Sequence, residues 1–270
     1  MTITLTLKQA PAVPLEAEVL SPDVFAELSN AEIRALIVYN GKRQVPLEEF
    51  FDVDGERSDE LVLHGDLTKV RLIGRGMSKG SVTVHGRVGM HLGAHMKGGR
   101  IEVHGDASDW IGAEMKNGFI HVHGNAGGQI GAAYRGSLAG MKNGTIIVDG
   151  TAGLEVGMRM RRGTIILGGQ AKDFTGLQMK GGTIILMDGA EIRTGAWMNR
   201  GTIISMKPIK LMPTFAESND SNPTFMNVYA RQLKRFGVNL PFAASEGIYQ
   251  RFSGDLAVPG NGEILVWQPA

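Results

Sequence analysis

Gly99-Arg100-Ile101-Glu102-Val103-His104-Gly105 and Gly163-Thr164-Ile165-Ile166-Leu167-Gly168-Gly169 are two copies of one pattern. A glycine opens a short run of strand formers, and a second glycine closes it six residues later. The opening glycine recurs at Gly80, Gly99, Gly118, Gly144, Gly163, Gly182 and Gly201, at spacings of 19, 19, 26, 19, 19 and 19. The 26 is one period plus an insertion of seven, Tyr134-Arg135-Gly136-Ser137-Leu138-Ala139-Gly140. Nineteen residues cannot hold two helices and their turns. They suit one coil of two or three short strands, and a single coil cannot bury its apolar face without a stacked neighbour. The fold expected is all-β: a right-handed parallel β-helix of 19-residue coils.

Two compositional excesses follow from this period. Glycine accounts for 38 of 270 residues, roughly twice the usual share. The corners are expected at Gly86, Gly105, Gly124, Gly150 and Gly169, and at Gly74, Gly93, Gly112, Gly131, Gly157, Gly176 and Gly195. There the backbone needs positive φ or a close approach. Half of the 14 methionines share one phase: Met77, Met96, Met115, Met141, Met160, Met179 and Met198. One methionine per coil predicts an internal stack, since a flexible thioether fills irregular gaps.

A stacked sheet needs covered ends. Residues 1–58 are expected to form a small N-terminal α/β cap, residues 59–207 the coils, and residues 208–270 a C-terminal extension. Met1 to Lys8 alternates like a strand, and Ser29-Asn30-Ala31-Glu32 is a capping box before a short helix. Asn222-Pro223 opens a helix to about Phe236, closed by Gly237. A terminal strand is expected at Glu263–Trp267.

The charge balance, 28 basic against 27 acidic residues, generates no field for nucleic acid. No apolar stretch is long enough for a membrane helix, and the N-terminus lacks the features of a signal peptide. With no cysteine, thiolate metal sites and a Cys nucleophile are excluded. A cytoplasmic protein is expected.

Candidate site residues fall into rows. His64, His85, His104 and His123 share a phase that Asp149 continues. Stacked one per coil, such rings lie along a line, whereas metal ligands must converge on a point. His121, on the same strand face as His123, is the one place where a two-histidine pair could form. No catalytic or metal-ligand set is assigned. A second row is cationic: Lys79, Lys97, Lys116, Lys142, Arg161 with Arg162, Lys180 and Arg200. It reads as a solvated edge or as a strip for a polyanion. In the insertion, Tyr134 and Arg135 are of the types enriched at interface hot spots, so a partner contact is expected there.

The repeat carries a resemblance. Met96-Lys97-Gly98-Gly99-Arg100-Ile101-Glu102-Val103-His104-Gly105-Asp106-Ala107, Asp109-Trp110-Ile111-Gly112, Tyr134-Arg135-Gly136 before Gly140-Met141-Lys142, and Met160-Arg161-Arg162-Gly163-Thr164-Ile165 carry it in the coils. Glu18 to Phe25 and Phe50 to Gly55 carry it in the cap. The chain resembles the glycine-repeat β-helix family. That family is shared by the C-terminal domain of the glutamate synthase large subunit and the C subunit of formylmethanofuran dehydrogenase. The dehydrogenase branch is the more similar of the two.

The resemblance implies a non-catalytic scaffold. Its setting would be a formyltransferase/hydrolase complex acting between tetrahydromethanopterin and a methanofuran-type cofactor, or an archaeal tungsten or molybdenum dehydrogenase. The implied partners are hydrolase, formyltransferase and molybdopterin-type subunits, with zinc held in the hydrolase and no cofactor bound by this chain alone. Methanofuran-type cofactors carry glutamyl tails, so Lys97, Lys116, Lys142, Arg161 and Lys180 become a candidate tail strip. A free-standing β-helix enzyme acting on an extended polymer is the competing class, and it requires converging carboxylates in a groove.

Overall fold

A computed structural model describes residues 2–239 and 247–268. Met1, which opens the alternating N-terminal stretch, lies outside them. The N-terminal elements are β1 (Ile3–Leu7), β2 (Leu15–Glu16), α1 (Pro22–Phe25), α2 (Asn30–Arg34), β3 (Ile37–Asn40), β4 (Arg43–Pro46) and β5 (Phe51–Asp54). The repeat supplies β6 (Glu60–His64), β7 (Val70–Arg71), β8 (Ser81–His85), β9 (Arg100–Val103) and β10 (Phe119–Val122). It continues with β11 (Thr145–Val148), β12 (Thr164–Leu167), β13 (Lys180–Leu186) and β14 (Arg200–Ser205). β15 (Ala216–Ser221), α3 (Met226–Arg235), β16 (Ile248–Gly254) and β17 (Gly262–Gln268) complete the chain.

The protein is mostly β, built on one large sheet ordered β5-β1-β6-β8-β9-β10-β11-β12-β13-β14-β17-β16-β15. From β1 to β17 every pairing is parallel, and antiparallel strands close both ends. Equivalent residues of successive repeats pair directly, as in Ile101↔Ile120↔Ile146↔Ile165↔Ile184↔Ile203. A second parallel ladder of single bridges joins Leu67, Val88, Ala107, Ala126, Ala152, Ala171 and Ala190. The seven-residue insertion leaves this register undisturbed. A small sheet, β4-β3-β2-β7, lies on the N-terminal segment, where Ser29 and Glu32 form the expected capping box on α2.

Neither end is a separate layer. β1 pairs in parallel with β6 as if it were one more repeat. β17 extends the isoleucine row through Ile203↔Ile264, although β15, α3 and β16 intervene in the chain between β14 and β17.

Glycine serves two purposes. At Gly93 and Gly157 φ is +60° and +68°, and an added Cβ would lie 2.6 Å from the δ-methyl of Ile120 or Ile184. Left-handed backbone and a crowded interior therefore both exclude a side chain there. At Gly105 φ is not left-handed, but a Cβ would come within 2.4 Å of the Gly86 carbonyl oxygen. The phased methionines are all at most 1% exposed. Each ε-methyl reaches the opening glycine of the next repeat. A Cβ on Gly99, Gly118, Gly144, Gly163, Gly182 or Gly201 would sit 2.7–2.8 Å from the methyl of Met77, Met96, Met115, Met141, Met160 or Met179. The methionine stack and the opening glycines are two halves of one packing device.

The outer face of the large sheet divides in two. One row runs Val62, Thr83, Glu102, His121, Ile147, Ile166, Ile185, Ile204, Leu265 across adjacent strands. Its isoleucines are at most 1% exposed, because Met226 and Leu233 of α3, with Tyr249 of β16, pack on them. The polar part has no such cover from Val62 to Glu102 among the described residues, and His121, at 8% exposure, marks the border.

Candidate functional site

The polar part of the outer face contains the histidine row. His64, His85, His104 and His123 stack with ring centroids 4.9, 4.9 and 4.8 Å apart and interplanar angles of 15°, 8° and 5°. This spacing is the strand separation itself. Up to His104 the rings do lie along a line.

At His123 the line becomes a cluster. His121 and His123 share a face of the β10 edge, with ring centroids 4.0 Å apart. Glu102 is the cross-strand neighbour of His121 on β9. Asp149 follows β11 directly beyond the Val122↔Val148 pair, which brings it alongside His123. His121 Nε2 lies 2.9 Å from Asp149 Oδ1, and His123 Nδ1 lies 3.0 Å from Asp149 Oδ2. The other nitrogen of His123, Nε2, lies 3.0 Å from Glu102 Oε1. An imidazole flanked by carboxylates on both nitrogens satisfies both only as the doubly protonated ring. Burial pulls the His123 pKa down, but the bonds to Glu102 and Asp149 outweigh it and leave the pKa raised. The same contact with His123 is the largest influence on Glu102 and holds its carboxyl below the usual range. His121 is buried and Asp149 is exposed, so the cluster opens to solvent on one side.

Repeat phase aligns Asp149 with the histidine row, and strand alternation pairs His121 with His123. Neither points to Glu102, and donors expected along a line converge in two overlapping groups that share His123: Glu102 with His104, and His121 with Asp149. The available signal for Glu102 is register: it stands 19 residues before His121.

A second cluster lies on the wall formed by the left-handed corners. His91, Trp110, Gln129, Glu155, Phe174 and Arg193 all have positive φ, and they recur at the repeat spacing. Tyr134 stacks on Trp110 at 4.9 Å, and its hydroxyl lies 2.9 Å from His91 Nδ1. Burial pushes the Tyr134 hydroxyl up to about 12. Burial, with Arg71 and Arg75 nearby, pulls His91 down, so its ring is neutral near pH 7. Tyr134 is thus turned into its own chain, while Arg135 projects into solvent. Trp110, Tyr134, Arg135, Glu155 and Arg159 border a cleft of about 220 Å³.

The cation row is only partly gathered. Lys142, Arg161, Arg162, Lys180 and Arg200 line a groove of about 550 Å³, with no acidic residue among the lining residues. Lys97 and Lys116 are exposed on the earlier repeats and are not part of that lining. Lys180 Nζ also reaches the Leu138 carbonyl of the insertion at 3.3 Å.

Comparison with known proteins places these features in context. Residues 56–218 match the model of a family described as the GXGXG motif. The chain is 41% identical over 97 residues to the C subunit of the tungsten-containing formylmethanofuran dehydrogenase 2 of Methanothermobacter thermautotrophicus, covering 34% of this chain and 36% of that protein. It is 44% identical over 95 residues to the C subunit of the molybdenum-containing formylmethanofuran dehydrogenase 1 of the same organism, covering 34% of this chain and 24% of that protein. The aligned stretch thus covers about a third or less of these curated relatives' own length. A solved structure, the formyltransferase/hydrolase complex (FhcABCD) from Methylorubrum extorquens in complex with methylofuran, contains a chain that matches over 99% of both chains. The TM-score is 0.88 and the identity 33%.

Proposed function

The chain belongs to the family defined by the GXGXG motif, and from that premise we propose that it is the C-type scaffold subunit of a formyltransferase/hydrolase complex of one-carbon metabolism. The extent of the structural likeness carries the reading, because it runs through both ends and the insertion. A likeness confined to the repeats would speak only for a coil. We read the architecture as a right-handed parallel β-helix of 19-residue coils over residues 59–207, between a cap at 1–58 and an extension at 208–270.

In this reading the chemistry belongs to hydrolase, formyltransferase and molybdopterin-type partners in the cytoplasm. Tetrahydromethanopterin, the methanofuran-type cofactor and a catalytic zinc are handled by those partners. The groove at Lys142, Arg161 and Lys180, led up to by Lys97 and Lys116, suits the anionic tail of such a cofactor. Its lining is cationic throughout its charged positions. Arg135 at the insertion, with Leu138 beside it at 70% exposure, suits a partner contact, Tyr134 bracing the loop from inside. An archaeal-type dehydrogenase is the second reading, favoured by the names of the curated relatives.

Reconstitution tests the assignment. The purified chain alone should neither transfer nor hydrolyse formyl groups, and co-expression without it should leave the partners unassembled on size exclusion. Turnover by the isolated chain, abolished in His121→Ala or His123→Ala, overturns the scaffold reading. In the assembled complex, charge reversal at Lys97, Lys116 and Lys142 together should raise the apparent KM for the long-tailed cofactor but not for a truncated one. Equal KM changes for both remove the tail strip.

A further inference from the structure

We propose that His121, His123 and Asp149 form a site for a divalent transition-metal ion of the zinc type, with Glu102 orienting His123. All four residues lie on three adjacent strands of this chain or immediately beyond their ends. The donor atoms of His121, His123 and Asp149 all lie within 4.8 Å of one another. A tetrahedral ion with bonds near 2.1 Å needs ligand atoms about 3.4 Å apart. The two hydrogen bonds to Asp149, at 2.9 and 3.0 Å, and the 4.8 Å limit on every donor pair bracket that separation. Two imidazoles and one carboxylate are a donor set suited to zinc, and far less to calcium or magnesium, which prefer all-oxygen shells. Three protein ligands leave one position on the solvent side for water.

The arrangement also supplies what a bare trio lacks. A metal-ligating histidine usually donates its second ring N–H to a carboxylate, which fixes the tautomer and the ring plane. With the ion on His123 Nδ1, His123 Nε2 still donates to Glu102 Oε1, at 3.0 Å. The opposite face of the His123 ring is held by the stack on His104. His121 is only 8% exposed, which limits the rearrangement available to its ring. The ligands sit at strand ends whose register is set by the parallel ladder, and sites built on such elements are held more closely than sites on loops. The other rings of the row provide an internal contrast. His64 and His85 stack just as closely, yet neither belongs to a group of three converging donors among the described residues.

The test uses the full-length chain, freed of metal with a chelator and titrated with Zn²⁺ by calorimetry, then with Co²⁺ followed by visible absorption. One equivalent of Zn²⁺ should bind saturably, and Co²⁺ should give the intense d–d bands of a tetrahedral site. His121→Gln and Asp149→Asn should each weaken binding at least tenfold and abolish those bands. Glu102→Gln should weaken it by about 10–100-fold without changing the stoichiometry. His85→Gln, in the same stack, should bind like wild type. Absence of saturable binding overturns the proposal. So does wild-type affinity in both His121→Gln and Asp149→Asn, or an equal loss in His85→Gln. Asp149 is exposed, so its variant keeps the test decisive if His121→Gln misfolds, as judged by circular dichroism.

Discussion

The two parts of the outer sheet face share a backbone and differ in what stands on it. In β8 and β9 apolar and polar residues alternate, Ser-Val-Thr-Val and Arg-Ile-Glu-Val; β10, Phe-Ile-His-Val, is the border, with polar His121 and with Phe119 already packed against the covered side. In β11 and β12 the runs are Thr-Ile-Ile-Val and Thr-Ile-Ile-Leu, apolar on successive residues, and β13 and β14 continue the paired isoleucines. Alternation means that one face is wet, and a continuous apolar run means that both faces are buried. The inner rows stay apolar across both parts as far as Ile203 and Leu186, with Ser205 the polar exception. The difference teaches that the interior sets the stack, while the outer row decides what lies on it: a helix over the isoleucines, and solvent over the polar residues beside the histidines.

The largest expected effect tests the cover. Ile185→Ala, under α3, should cost about 2–5 kcal/mol, because Ile185 is fully buried on the outer face. Thr83→Ala, at the equivalent position of the open part, should change stability by no more than about 0.5 kcal/mol. Urea unfolding of both variants measures this, and equal losses would break the comparison. A smaller effect sharpens it from inside. Gly93→Ala in the open part and Gly157→Ala in the covered part face the same 2.6 Å approach to an isoleucine methyl. Each should cost about 1–3 kcal/mol, with the two values close to each other. A large gap would mean that the interior also differs between the parts.

The smallest effect lies at the open end. Asp23 on α1 accepts bonds from the Ser78 hydroxyl and from Ser78 N at 2.7 Å. Burial alone would raise its pKa, but these bonds hold it below the usual carboxylate value of 3.8. A depressed folded-state pKa gives stability that is present above the unfolded value and lost as pH falls through the folded one. Asp23→Asn should therefore lose stability at neutral pH. The loss is no more than about 1 kcal/mol after solvent screening, and the gap to wild type should close below the usual carboxylate value of 3.8. A gap independent of pH would mean that the carboxylate charge is not what holds α1.

Much of this fold is legible in the sequence, because an interior that repeats must repeat its residues. The opening glycines, the left-handed glycines and the methionine phase each mark a fixed place in the repeat. The doubled isoleucines of residues 146–204 also announce a covered outer face, a signal that the period alone does not draw out. What covers them is not legible: α3 reads as a helix in sequence, but its seat depends on β16 and β17 returning to the sheet. The histidine cluster is half legible. Phase aligns His123 with Asp149 across the insertion, yet hydrogen bonding to one shared carboxylate is a matter of side-chain tilt, which spacing does not encode.

The fit between each methionine methyl and the next opening glycine makes the repeat an interchangeable part. Excising residues 163–181 as a block would bring Gly182 to Met141 and Gly201 to Met160, restoring every lock with one repeat fewer. Outside the Tyr134–Gly140 insertion, which the register already bypasses, removing anything but a whole period between a methionine and its glycine would leave a methyl facing a side chain and a glycine facing nothing. Away from that insertion the ladder lengthens or shortens only in whole repeats, so its length is quantised in steps of one strand spacing, about 4.8 Å.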